Sequence, residues 1–304
     1  MVNIMSKNKN QIFKGAATAL ITPFSKGRID FTAMGKIIDY QLENNISALV
    51  VSGTTGEAAT LSDRERLFLL EFTLERVNGK IPVIAGTGSN DTRHTIKMSK
   101  EACAAGCDAL LVVTPYYNRA NSRGLIENYL AVANTVFCPL IIYNVPSRTS
   151  VNIPLSVYIE LAKHERIVGV KEASGNLDTI SELISHTSDD LDIYSGNDQQ
   201  NLPILSVGGK GTVSVLSNIL PGEVELLCKE FFNGNIDKAR AIQQSHIEIT
   251  KMLFSDLNPI PIKTALSLLG YCSEEFRLPL CSTTDDLKNT ILTTLRKYGL
   301  IKYD

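Results

Sequence analysis

The sequence predicts an α/β fold: a parallel (β/α)8, or TIM, barrel with a C-terminal all-helical extension. Two observations carry that expectation. Between Gly15 and Val215, eight short apolar, β-branched runs alternate with longer amphipathic stretches. After Pro221 the short runs stop and only helical patterning continues. An open, doubly wound sheet is the competing arrangement, but no G-x-G-x-x-G sequence follows the first run.

Taken in order, strand one is expected over 15–21, closed by Thr22-Pro23, and a helix over 32–44 leads to strand two at 48–52. Ser62-Asp63-Arg64-Glu65 has capping-box spacing, and Leu67, Leu70, Leu74 and Val77 form one stripe behind it. Gly79 ends that helix. Strand three, over 82–85, runs into Gly86-Thr87-Gly88, and Asn90 or Asp91 can cap a helix ending near Gly106. Strand four covers 109–113, a helix 124–137, and strand five 139–143. Pro154 suits the first turn of the following helix. Strand six ends in Lys171, a helix covers 177–186, and strands seven and eight lie at 192–195 and 211–215. Helices over 223–232, 236–254, 261–269 and 285–298 complete the chain. The expected organisation is a flexible tail over 1–11, a catalytic barrel over 12–222 and a helical domain over 223–304.

Composition narrows the function. The 304 residues are 44% hydrophobic and 20% charged, enough for a large core. A net charge of -2 gives no electrostatic footprint for nucleic acid or an anionic membrane. No apolar run approaches the roughly 20 residues a membrane helix needs. The cysteines at 103, 107, 138, 228, 272 and 281 show no disulfide framework and read as small core residues. The histidines at 94, 164, 186 and 246 lack metal-ligand spacing, so neither a metal nor a cofactor is expected. A reducing, cytoplasmic location follows.

The unusual residues cluster where the strands end. Strand two runs into Gly53-Thr54-Thr55-Gly56-Glu57, strand four into Thr114-Pro115-Tyr116-Tyr117-Asn118, and strand five into Tyr143-Asn144-Val145-Pro146-Ser147-Arg148-Thr149. Strand six carries Lys171, and strand seven runs into Gly196-Asn197-Asp198. A barrel gathers these ends on one rim, where active sites of this fold are built. Taken singly, each has a plainer reading: Lys171 as a solvated strand end, Gly53 to Glu57 as a turn, the phenols as rim packing, Arg148 as a loop anchor. Together they suit imine chemistry. A desolvated lysine attacks a ketone, hydroxyls move protons, and an arginine grips a carboxylate on two prongs.

These motifs, with Val83-Ile84-Ala85-Gly86-Thr87-Gly88 and Val170-Lys171-Glu172-Ala173, resemble the dihydrodipicolinate synthase family of pyruvate-dependent class I aldolases. The resemblance runs from about Phe13 into the C-terminal helices. It implies condensation of pyruvate with L-aspartate 4-semialdehyde, the entry to lysine and diaminopimelate biosynthesis, with no cofactor. Lys171 would form the Schiff base, and Tyr143 would relay protons with Thr54 and Tyr117. Thr55 would bind the pyruvate carboxylate, Arg148 the aldehyde's carboxylate, and Gly196 and Val213 would line the pyruvate site through their backbone. Tyr117 would reach a neighbouring subunit, in a homotetramer made of two tight dimers. Sialic acid lyases, in the same superfamily, lack the Ser147-Arg148-Thr149 ending. A different pyruvate aldolase and a catalytically silent barrel are the two competing functions.

One departure concerns regulation. Lysine-inhibited relatives carry histidine, histidine and glutamate at the positions matching Asp63, Arg66 and His94, while Asn90 and Tyr116 fit their pattern. The resemblance therefore implies weak or absent inhibition by lysine.

Overall fold

The computed structural model describes residues 11–188 and 190–302; apart from Gln11, the tail expected over 1–11 lies outside them. Eight parallel strands form the barrel: β1 (Gly15–Ala19), β2 (Ala48–Val51), β3 (Val83–Gly86), β4 (Ala109–Val113), β5 (Leu140–Asn144), β6 (Ile167–Glu172), β7 (Asp192–Ser195) and β8 (Gly211–Ser214). They close in the order β1-β8-β7-β6-β5-β4-β3-β2. Nearly every strand residue is buried, as expected where both faces of a parallel sheet are covered. This is why the runs read as continuously apolar instead of alternating.

The chain divides into two compact units. One holds 84–213 with the described residues before Gly15; the other holds 15–83 and the described residues from 214 onward. In the first, Tyr143 of β5 sits in register with Val113 of β4 and Lys171 of β6. The helices Thr92–Ala105, Ser122–Ala133 and Leu177–Thr187 open on side-chain caps: Asp91, Asn121 and Asn176 accept from the backbone N–H of Arg93, Gly124 and Thr179. Strand β6 continues one residue beyond Lys171, because the Glu172 side chain finds its partners inside the protein. The sulfurs of Cys103 and Cys138 lie in contact. Contact between residues 35 apart comes from packing of the segments entering β4 and β5, and no local spacing encodes it.

In the second unit, Asp30 caps the helix Phe31–Glu43, and the helix Asp63–Val77 carries the anticipated capping box between Ser62 and Glu65. A two-residue hairpin, Phe24–Ser25 with Arg28–Ile29, was not anticipated. The C-terminal helices are Pro221–Phe232, Ile236–Ser245, Ile247–Leu253, Ile260–Leu268 and Asp285–Lys297. The single helix expected over 236–254 is thus two. The break falls at His246, whose buried ring lies 3.8 Å from the Glu223 carboxylate.

Arg277 fastens this unit. Its guanidinium donates to both Glu65 oxygens at 2.5 and 2.9 Å, to the carbonyls of Thr60 and Gly27, and stacks 4.5 Å over the Phe24 ring. The Arg277 hydrogen bonds hold the Glu65 carboxyl down from an ordinary 4.5 to about 2. A carboxyl depressed on folding stabilises the native state above its unfolded pKa, and that contribution is lost as pH falls through the folded pKa. The melting temperature of the unmodified protein should therefore converge on that of Glu65→Gln as pH drops from about 5 to 2. A gap that stays constant across that window would refute the assignment.

Candidate active site

Lys171 is buried, 6% exposed. Its Nζ lies 4.4 Å from the centre of the Tyr143 ring, which is itself buried, and strand register sets the two residues side by side. The Tyr143 carbonyl accepts from both the backbone N–H and the hydroxyl of Thr114, so the β4 and β5 ends are locked together. Gly196, just past β7, leaves no room for a side chain. A Cβ there would lie 3.1 Å from Lys171 Cε and 2.8 Å from Ala173 Cβ. Val213 of β8 is buried. Arg148 is exposed on a short helical turn, Pro146–Thr149, directly after β5. Tyr117 is 93% exposed with a φ of 70°, a strained left-handed conformation for a bulky residue.

The second unit holds the turn after β2. Backbone bonds from Gly56 N to Gly53 O and from Glu57 N to Thr54 O fold it tightly. Thr55 is buried, and its Oγ1 accepts from Asn258 Nδ2 at 3.0 Å. Because that oxygen is already an acceptor, the Thr55 proton remains available to donate to an anion. Glu57 is left-handed, and its carboxylate pairs with Lys263; both side chains are fully buried. The Lys263 ammonium also donates to the Glu275 carbonyl and faces the rings of Phe24 and Phe276 at 4.3 and 5.0 Å. Burial lowers the Lys263 pKa, and the Glu57 charge opposes that shift.

The model of the dihydrodipicolinate synthetase family matches residues 12–298. The chain is 44% identical to the 4-hydroxy-tetrahydrodipicolinate synthase of Thermoanaerobacter sp. (strain X514), over 96% of this chain and 98% of that one. It is 45% identical to the protein of the same name from Alkaliphilus oremlandii, over 95% and 100%. The crystal structure of dihydrodipicolinate synthase from Aquifex aeolicus superposes with a TM-score of 0.94 at 41% identity, covering 96% of this chain and all of that one.

The chain belongs to the dihydrodipicolinate synthetase family. Its fold is the (β/α)8 barrel with C-terminal helices that the sequence predicted.

Of the residues the family resemblance singled out, Lys171, Tyr143 and Gly196 stand together at the β5, β6 and β7 ends. Thr54 and Thr55 lie on the turn after β2 in the other unit. Sequence reasoning missed the residues that hold these groups: Asn258 behind Thr55, Lys263 and Arg277 around Glu57, and Glu172 behind Asn144. A charged residue inside an apolar stretch was the available signal, since Lys263 follows Ile260-Pro261-Ile262 and Glu172 ends a strand. Among the described residues, Cys103, Cys107 and Cys138 form a group whose sulfurs lie within 4.8 Å of one another.

Proposed function

We propose that this family member condenses pyruvate with L-aspartate 4-semialdehyde through a Schiff base on Lys171. The observation that carries the reading is the buried Lys171 amine held over the Tyr143 ring with Gly196 against its side chain. Nζ attacks the pyruvate ketone, and the carbinolamine loses water to give the imine. Tyr143, Thr54 and Tyr117 carry the protons of that step. Thr55 donates to the pyruvate carboxylate, while Gly196 and Val213 line the site with backbone. Loss of a methyl proton gives the enamine, whose carbon adds to the aldehyde held through its carboxylate by Arg148. The new product's amine then attacks the imine carbon, closes the ring and frees Lys171. Every step uses side chains and substrates, so the reading calls for no metal and no cofactor.

The exposed, strained Tyr117 supports a working unit in which a second copy receives that phenol, in a homotetramer of two tight dimers. The reading keeps a catalytic barrel over 12–222, a helical domain over 223–304 and a cytoplasmic enzyme. No described helix is long and apolar enough to cross a membrane. The test is substrate choice. Purified protein should consume pyruvate only when aspartate 4-semialdehyde is present, and should release no pyruvate from N-acetylneuraminate. The reverse pattern would assign a sugar-acid lyase.

Regulation follows from residue identity. With His94 where lysine-inhibited relatives carry glutamate, and Arg66 adding a cation, an effector ammonium loses a charge-assisted bond of about 1.5–3 kcal/mol. That is more than about tenfold in affinity. Millimolar lysine should leave the rate in a coupled assay essentially unchanged, and half-inhibition below millimolar would overturn the expectation.

A further inference from the structure

Glu172 follows Lys171 on β6 and is 2% exposed, with its side chain on the opposite face of the strand. Its carboxylate accepts from Asn144 Nδ2 at 3.1 and 3.0 Å, from the Tyr158 hydroxyl at 3.0 Å and from Ser174 N at 2.7 Å. These donors are an amide, a phenol and a backbone N–H, none of them charged. Burying a carboxylate against neutral donors is costly, and an apolar residue would fill the space at lower cost. Its presence needs a reason beyond packing.

The donors show what it connects. Asn144 ends β5 one residue after Tyr143, and the register pairs Tyr143 with Lys171 and Asn144 with Glu172. Asn144 also donates to Asn152 Oδ1 at 2.8 Å and accepts from Ile153 N at 3.4 Å, closing the loop that carries Arg148. Tyr158 belongs to the helix Leu155–Ala162, and Ser174 begins the segment that leaves β6. One carboxylate thus ties the nucleophile's strand, the phenol's strand and the base of the arginine loop.

We propose that Glu172 is a positioning residue of the condensation, acting through Asn144 to hold Lys171, Tyr143 and the Arg148 loop in one arrangement. The proposal rests on the reading of Lys171 as the Schiff-base nucleophile. Misplacement of about 1 Å can cost about a hundredfold in rate, so holding geometry is where a buried anion can act.

The test compares Glu172→Gln with the double variant Glu172→Gln/Asn144→Asp. Glutamine removes the charge and replaces one of the two acceptor oxygens facing Asn144 with an amide donor, whereas the double variant returns a carboxylate to the pair. Each protein is assayed for borohydride trapping of pyruvate, for kcat and KM of the semialdehyde per folded molecule, and for Tm. In Glu172→Gln, Lys171 should still be trapped, while kcat falls about ten- to a hundredfold and the semialdehyde KM rises. The double variant should recover most of both. Wild-type kinetics per folded molecule in Glu172→Gln, or no recovery in the double variant, overturns the proposal. Should Glu172→Gln fail to fold, Asn144→Ala removes the Glu172–Asn144 link, and unchanged kcat there overturns the proposal equally. Absence of a Lys171 adduct in the unmodified protein would instead remove the parent reading, and this one with it.

Discussion

Lys171→Ala should lower kcat/KM by more than about a thousandfold and leave the melting temperature within a few degrees. The size follows from proximity, because an amine presented to a bound ketone acts at an effective concentration of about 10⁵ M or more. The Tyr143 ring facing its Nζ supplies no amine, and Gly196 has no side chain to offer. Treating the unmodified protein with pyruvate and borohydride should inactivate it and add one pyruvate-derived mass per chain, on the peptide containing Lys171. The alanine variant should take up no such mass. An adduct on another peptide, or an alanine variant as active as the parent, would end the Schiff-base assignment.

The second large effect is on stability. Lys263→Met should cost about 3–5 kcal/mol, because it strands the Glu57 carboxylate without its cation in a fully buried site. The methionine keeps contact with Phe24 and Phe276, so the loss reports the charge more than the volume. Removing both charges in Lys263→Met/Glu57→Leu should recover much of the loss, since a buried pair often breaks even against apolar residues. Urea unfolding of the two single variants and the double variant measures the coupling. A single-variant cost below about 1 kcal/mol would mean that water or rearrangement compensates Glu57.

The sequence located all eight barrel strands to within a few residues, because buried parallel strands are apolar throughout and each is punctuated by glycine, proline or asparagine. What escaped notice has a common physical cause. The hairpin at Phe24–Ser25 is too short to show periodicity, and the break at His246 has no glycine or proline to mark it. Lys171 and Tyr143 were legible because strand ends can be read locally. The partners of Thr55 and Glu57 were not, since Asn258 and Lys263 lie 203 and 206 residues away in the chain. The contact between Cys103 and Cys138 is likewise a product of packing.

That separation bears on how the protein is made. At about 5–20 residues per second, the turn carrying Thr55 and Glu57 emerges from the ribosome some ten to forty seconds before Asn258, Lys263 and Arg277 exist. Until then Glu57 has no cation and Thr55 no amide donor. A chain cut short before Asn258 therefore cannot set the Thr55 hydroxyl, even with every strand of the barrel already synthesised. The anchoring of this turn is therefore complete only once the chain has been made through Arg277.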